Sequence, residues 1–174
     1  YTYTVTVPPP CTSQSATVTV TVVQPPNAGT DGNALLCISS PALDLFTQLG
    51  GAQGGGTWTF GGAAHGNTFI PGTDAAGVYT YTVTGTAPCP NDQSTVTVAV
   101  TSNPDPGTNG AITLCATSAA VDLFASLGGT PDGGGSWSFN GTPHSNTFDP
   151  AIDGAGVYTY TVTVPPPCTS QSAT

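Results

Sequence analysis

The sequence predicts an all-β fold of antiparallel β-sandwich modules, each of about 78 residues, arranged in tandem as a rod or fibre. Three observations predict it: short segments in which apolar residues alternate with threonine, clusters of turn-forming residues between those segments, and an internal repeat along the chain. Alternation places every second side chain on the same face of a strand. Each sheet is therefore expected to have one buried face and one solvated face.

Alternation is clearest in residues 78–84, where two tyrosines and a valine share one face and threonines take the other. Residues 95–100 repeat the pattern with valines, and Trp58 and Phe60 share a face in the same way. Residues rich in Gly, Pro, Asn and Asp separate these strands at 25–29, 50–56, 61–62 and 88–92. The spacing predicts about seven short strands per module, as in a compact sandwich.

Residues 43–49 fit two structures. Their apolar residues alternate as in a strand, but Leu45, Phe46 and Leu49 also fit one face of a helix. Asp44 would then be the N-cap and Gly50 the stop. We expect a strand that ends in one helical turn.

The two ends of the sequence are identical, because residues 158–174 repeat residues 1–17 with a shift of 157 residues. A weaker repeat inside this one relates Cys37 to Cys115, with a shift of 78 residues. Self-similarity at a fixed period is the signature of an array of structural units. The sequence therefore predicts a window from a longer periodic array.

The period divides the chain into three parts. Residues 1–23 are the C-terminal strands of a preceding module, 24–101 a complete module (the first repeat) and 102–174 a module without its last strand (the second repeat). Such an incomplete module would present an open sheet edge and an open core, a template for strand addition. We expect a continuous covalent array with a two-module unit. Protomers that donate a strand to a neighbouring copy are the alternative.

Composition excludes several function classes. The chain has no Lys or Arg and a net charge of −9. Nucleic-acid binding and attraction to anionic membranes both need cations, and phosphate-handling enzymes need a Lys or Arg. No run of 18 apolar residues exists, so no membrane insertion is expected.

Candidate catalytic or metal chemistry is sparse. His65 and His144 recur once per repeat without a Glu nearby, a pattern more typical of a hydrogen-bonded turn than of a catalytic or metal site. No Ser, His and Asp stand at a spacing typical of a nucleophilic triad. We expect no enzyme activity and no cofactor.

Recurring aspartates are the candidate calcium ligands. Asp44 recurs as Asp122, and Asp74 recurs as Asp153. Their carboxylates could bind Ca²⁺ at a module junction, although no EF-hand-type loop is present. Capping and turn formation are the simpler roles.

Five cysteines are candidates for disulfides. Within-module pairing joins Cys37 to Cys89 and Cys115 to Cys168, and Cys11 pairs outside the window because it is the periodic equivalent of Cys168. The alternative is a bond across a module junction, such as Cys37 with Cys168, since stacking would bring opposite ends of two sandwiches together. No Cys-x-x-Cys spacing supports a metal site. Disulfides imply an oxidising, extracellular setting.

The first repeat resembles the Ig-like or PKD-like tandem repeats of giant secreted bacterial surface proteins. The resemblance rests on residues 27–32, 36–37, 44–46, 49–51, 55–58, 77–89 and 95–98. It implies an extracellular rod, either an adhesin stalk or a fibre. Asp74, Gly77 and Tyr79 also resemble the tyrosine corner of Ig domains.

Exposed hydroxyls next to proline are typical of O-glycosylation. The candidate attachment sites are Thr12, Ser13, Thr80, Thr82, Thr169 and Ser170. An adhesive site needs a divergent loop with exposed aromatic or charged residues, whereas the loops of the two repeats are alike and small. The sequence therefore favours a structural filament or stalk, and an adhesin that binds glycans or cell surfaces is the alternative.

Overall fold

The chain is all-β in a computed structural model that describes residues 1–174. Several sheets and two short 3₁₀ turns make up its regular structure, an arrangement compatible with a β-sandwich. None of its helical segments has the length and apolar character that a membrane crossing requires.

The strands fall into three regions of the chain. Before the first repeat lie β1 (Thr2–Val5) and β2 (Gln14–Thr17). The first repeat contains β3 (Gly32–Cys37), β4 (Leu43–Asp44), β5 (Thr57–Phe60), β6 (Ala63–His65), β7 (Thr68–Phe69), β8 (Gly77–Val83) and β9 (Asp92–Thr101). The second repeat contains β10 (Val121–Asp122), β11 (Ser136–Phe139), β12 (Thr142–His144), β13 (Thr147–Phe148), β14 (Tyr158–Val162) and β15 (Gln171–Ala173).

Five strands of the first repeat form one sheet in the order β3-β9-β8-β5-β6, and β4 pairs with β7. Every pair is antiparallel except β3 with β9, which run parallel with Gly32 opposite Val96 and Cys37 opposite Thr101. The expectation of a purely antiparallel module is therefore wrong at this edge. A parallel pair needs a long crossover between its strands, and here the rest of the sheet supplies it.

The core of the first repeat contains the residues that the alternation predicts. In β8 the side chains of Tyr79, Tyr81 and Val83 are buried, while Thr80 and Thr82 between them are half-buried. In β9, Val96 and Val98 are buried against the same core. Burial of a valine side chain contributes about 1.5–3 kcal/mol, so the inner face of β9 is a substantial part of the stability of this repeat.

The predicted strand that ends in a helical turn is confirmed at residues 43–48. Strand β4 ends at Asp44, and a 3₁₀ turn follows over Leu45–Gln48. The Phe46 amide donates a 3.0 Å hydrogen bond to Oδ1 of Asp44, which is therefore the N-cap. The turn ends before Gly50, whose carbonyl oxygen instead accepts a 3.0 Å hydrogen bond from the Thr30 amide.

The second repeat has the pairings of the first with one difference. Its sheet has the order β12-β11-β14-β15, β10 pairs with β13, and Trp137 lies opposite Tyr160 as Trp58 lies opposite Tyr81. The counterpart of β3, residues 110–115, forms no strand. The reason is that residues 102–174 contain no counterpart of residues 96–101, with which β3 pairs.

Residues 1–23 contain one isolated hairpin. Strands β1 and β2 pair only with each other, with Thr2 opposite Thr17, and both are exposed along their length. Residues 18–23 follow β2 and belong to no strand.

Candidate functional site

The contact between the two repeats is the candidate functional site. A disulfide joins Cys37, at the end of β3, to Cys168, in the turn between β14 and β15, with a Cα–Cα distance of 5.0 Å. The Thr101 hydroxyl lies 3.2 Å from Sγ of Cys168, so the end of β9 lies against the same bond. A covalent link therefore connects one sequence repeat to the next.

The predicted pairings of Cys37 with Cys89 and of Cys115 with Cys168 are therefore wrong. The observed bond is the alternative that was expected across a junction, Cys37 with Cys168. Cys37 lies opposite Thr101 at the end of β9, whereas Cys89 precedes the start of β9. Ten extended residues span roughly 30 Å. A disulfide needs Cα atoms within about 7 Å, so the two cysteines of one repeat are too far apart.

Three cysteines are free thiols: Cys11, Cys89 and Cys115. Cys115 is exposed, and its Sγ lies 3.2 Å from the hydroxyl of Thr117. Hydrogen bonds from the Thr117 hydroxyl and amide to the sulfur lower the pKa of Cys115 below 9.0. The pairing of Cys11 outside the window stays a prediction.

An open groove crosses the second repeat beside residues 110–115, which we call the strand groove. Its volume is about 540 Å³, and apolar side chains form most of its wall. Among them are Ile112, Leu114, Leu123, Trp137, Phe148 and Tyr158. The groove lies where the sequence predicts an open core, beside the counterpart of β3.

Each of the two repeats has the same tyrosine hydrogen bond at a corner of its sheet. The Tyr79 hydroxyl donates to the carbonyl oxygen of Ala75, and the Tyr158 hydroxyl donates to that of Gly154, each at 2.7 Å. Burial, and then the nearby carboxylate of Asp74, raises the pKa of Tyr79 above 10.0. This geometry agrees with the tyrosine corner expected from the sequence.

The recurring histidines hold turns together. Nε2 of His65 lies 3.6 Å from Oδ1 of Asp74, and Nε2 of His144 lies 3.3 Å from Oδ1 of Asp153. The other ring nitrogen of His65 lies 2.7 Å from the carbonyl oxygen of Gly66. The His–Asp pair thus bridges two segments of each repeat, as a hydrogen-bonded turn does.

The aspartates considered as calcium ligands are engaged with backbone amides. Asp44 caps the first 3₁₀ turn, and Oδ1 of Asp122 accepts a hydrogen bond from the Phe124 amide at the start of the second, both at 3.0 Å. Asp74 accepts a 2.6 Å hydrogen bond from the Ile70 amide. Nowhere do three or more His, Cys, Asp or Glu side chains group as they would around a metal ion.

The pKa of Asp153 predicts acid sensitivity of the second repeat. The Asp149 amide donates a 2.7 Å hydrogen bond to its carboxylate, and this bond, followed by His144, lowers the pKa below 3.8. A carboxylate whose pKa is lowered in the folded state stabilises the fold at pH values above its ordinary pKa. This contribution is lost as the pH falls through the lowered pKa. We therefore expect Asp153→Asn to lose less stability than the parent chain below pH 3.8.

Urea unfolding followed by Trp137 fluorescence in a Trp58→Phe background, repeated from neutral pH downward, measures this slope. Asp31→Asn is the matched control, because Asn109 is its natural counterpart in the second repeat. Equal acid slopes for Asp153→Asn and the parent chain would contradict the prediction.

The six candidate O-glycan sites fall into two groups. Thr12, Ser13, Thr169 and Ser170 are exposed in hairpin turns, whereas Thr80 and Thr82 are half-buried on β8. The Thr82 hydroxyl also accepts a 2.9 Å hydrogen bond from the Gln93 side chain. Glycosylation stays a prediction, and access is best at the four turn residues.

The fold and this site define an all-β protein whose two sequence repeats are joined by a disulfide. Comparison with protein-family models finds no match, and no curated protein matches the chain.

Proposed function

We propose that the chain is a non-enzymatic structural repeat of an extracellular bacterial filament or cell-surface stalk. In this proposal Ig-like β-sandwich modules of about 78 residues follow one another as a rod, each in contact with its neighbours. Neighbouring copies of the module are the partners.

The disulfide between Cys37 and Cys168 is the observation that carries the proposal. It joins the first cysteine position of one repeat, Cys37, to the second cysteine position of the next, Cys168. Each repeat has both positions, so the same bond can recur along an array. A covalent bond at a junction resists extension of a rod far better than a small contact area does. The disulfide is also compatible with an extracellular location.

The protein surface supports a structural role as well. With no Lys or Arg, the chain has no cationic patch for nucleic acid or anionic membranes, and its carboxylates bond to backbone amides in caps and turns. The small number of charged residues and the threonine-rich outer faces of the strands suit a solvated, inert rod. No loop carries the divergent aromatic or charged cluster that adhesion needs.

Electron microscopy of the native material that contains this sequence tests the proposal. We expect long threads, with an axial repeat of about 70 Å if two ten-residue strands lie end to end along the axis. Isolated globules would contradict the proposal, and glycan-dependent attachment of those globules to cells would support the adhesin alternative.

Denaturing electrophoresis under reducing conditions separates the two modes of assembly. A continuous covalent array gives a very large species. A band near 17.2 kDa would instead establish separate protomers that exchange a strand.

A further inference from the structure

The strand groove of the second repeat has an internal template in the first. There, the equivalent core contains Val96 and Val98 of β9, packed with Leu45, Trp58 and Phe69. The second repeat has the counterparts of the last three, namely Leu123, Trp137 and Phe148, at the wall of the groove. Phe148 is less covered than its counterpart, since Phe69 is fully buried and Phe148 is only half-buried. A β-strand with two inward valines is therefore the shape that closes this groove.

Hydrogen bonds at one end of the groove already hold the chain in the position from which such a strand would continue. The Gly110 amide donates a 2.8 Å hydrogen bond to the carbonyl oxygen of Thr174, at the mouth of the groove. The Thr174 amide donates to Oδ1 of Asn109 at 2.9 Å, as the Thr95 amide donates to Oδ1 of Asp31 at 2.7 Å. The next residue along would face Gly110, as Val96 faces Gly32.

Residues 18–23 match that strand. They follow the segment Gln-Ser-Ala-Thr at 14–17, which is identical to residues 171–174, and they read Val-Thr-Val-Thr-Val-Val. Their valines are out of any core, with Val18 64%, Val20 63% and Val22 80% exposed. Aligned on β9, Val18 and Val20 take the places of the buried Val96 and Val98.

The contacts of the cysteines also match between residues 18–23 and β9. Sγ of Cys89 lies 3.5 Å from the carbonyl oxygen of Val23, as Sγ of Cys168 lies 3.8 Å from that of Thr101. Thr101 lies opposite Cys37, the residue to which Cys168 is bonded. A strand seated in the groove in the β9 register would place Val23 opposite Cys115. It would therefore bring Cys89 of its own chain next to Cys115.

We propose that residues 18–23 of a second copy of this chain fill the strand groove, and that Cys89 of that copy then forms a disulfide with Cys115. The joint between copies thus repeats the joint that Cys37 and Cys168 make within one copy. This inference deepens the proposed function and rests on it, because an assembly of repeats provides the second copy. The second copy is either a separate molecule or the next unit of a continuous polypeptide, because both present the same strand.

Disulfide formation at the joint proceeds by exchange with a small disulfide such as oxidised glutathione. The Cys115 thiolate attacks one glutathione sulfur and releases the first glutathione thiolate. The Cys89 thiolate then attacks the Cys115 sulfur of the mixed disulfide, which forms the protein disulfide and releases the second. Two protein thiols are oxidised, one glutathione disulfide is reduced, and the two protons end on the released thiols.

The state of Cys115 suits the attacking role. It is exposed in the single chain, and the hydrogen bonds from Thr117 lower its pKa and increase its thiolate fraction at neutral pH. Cys89 is partly buried beside Val23 and becomes the resolving thiol once the strand is seated.

Cross-linking of the full chain tests the proposal. In a Cys11→Ser background the free thiols are Cys89 and Cys115, and a concentrated mixture of labelled and unlabelled copies is oxidised with glutathione disulfide. We expect a ladder on non-reducing denaturing gels, with Cys89–Cys115 as the main linkage between copies by mass spectrometry after chymotrypsin digestion. Adding Cys115→Ser or Cys89→Ser should remove the ladder. A main linkage of Cys115 to Cys115, or of Cys89 to Cys115 within one copy, would overturn the proposal.

A matched pair of strand variants tests the groove separately. Val20→Asp places a carboxylate where Val98 is buried, and Thr21→Asp places one where Ala99 is exposed. Both residues lie outside the folded core of the single chain, so neither change should prevent folding. We expect Val20→Asp to reduce ladder formation at least tenfold and Thr21→Asp to leave it intact. Equal effects would show that the strand does not enter the groove.

The outcomes separate this inference from the proposed function. Filaments whose Cys115 is joined to another residue would refute the joint and leave the structural role standing. A Cys89–Cys115 joint in material that forms only short, closed oligomers would support the joint and refute the filament or stalk.

Discussion

Reduction of the Cys37–Cys168 disulfide is expected to lower the thermal unfolding midpoint far more than about 1 M NaCl does. The bond closes a chain segment with a sequence separation of 131 residues. In the chain-entropy model a loop of this length contributes about 5 kcal/mol. For a chain of this size that corresponds to roughly 10–20 °C. Salt has little to screen, because the chain has no Lys or Arg and its ion pairs are the two His–Asp contacts.

Calorimetry of the parent chain with and without reductant, and with and without salt, measures both effects. Cys168→Ser should unfold at the midpoint of the reduced parent chain and should not respond further to reductant. Cys11→Ser is the matched control, since Cys11 is exposed and unbonded. A larger fall in salt than in reductant would contradict the prediction.

Val98→Asp is expected to unfold the first repeat. Val98 is 2% exposed and lies in the middle of β9, between β3 and β8. The substitution removes a buried valine and places an unpaired carboxylate in the core, a combination that costs more than about 4 kcal/mol.

Ala99→Asp is the control for Val98→Asp, because Ala99 is the next residue of β9 and its side chain is exposed on the opposite face. We expect it to change the free energy of unfolding by less than about 0.5 kcal/mol. Trp58 fluorescence in a Trp137→Phe background reports urea unfolding of the first repeat alone. Similar losses for the two variants would mean that β9 does not close the core.

Local periodicity was enough to predict β5, β8 and β9. Alternation of apolar residues with threonine placed Tyr79, Tyr81 and Val83 on the buried face of β8, since a side-chain period of two is a property of any extended chain. The Asp44 cap was predictable for the same reason, because a side-chain oxygen two residues from an amide needs no distant partner.

Pairing between distant segments was less predictable. The parallel contact of β3 with β9 joins residues about sixty positions apart, and nothing in residues 32–37 indicates the direction of the strand beside them. That direction follows from the order of the whole sheet. The open groove was predictable, by contrast, because the internal repeat shows which strand the second repeat lacks.

The sequence by itself determined that the cysteines are equivalent in pairs, Cys37 with Cys115 and Cys89 with Cys168, because this follows from the period of the repeat. Only the tertiary structure decided which thiols bond. In one repeat the extended length of β9 separates Cys37 from Cys89. The β14–β15 turn of the next repeat places Cys168 at the same end of β9 as Cys37. A disulfide forms over a few ångströms between backbones, and that distance depends on how successive repeats meet.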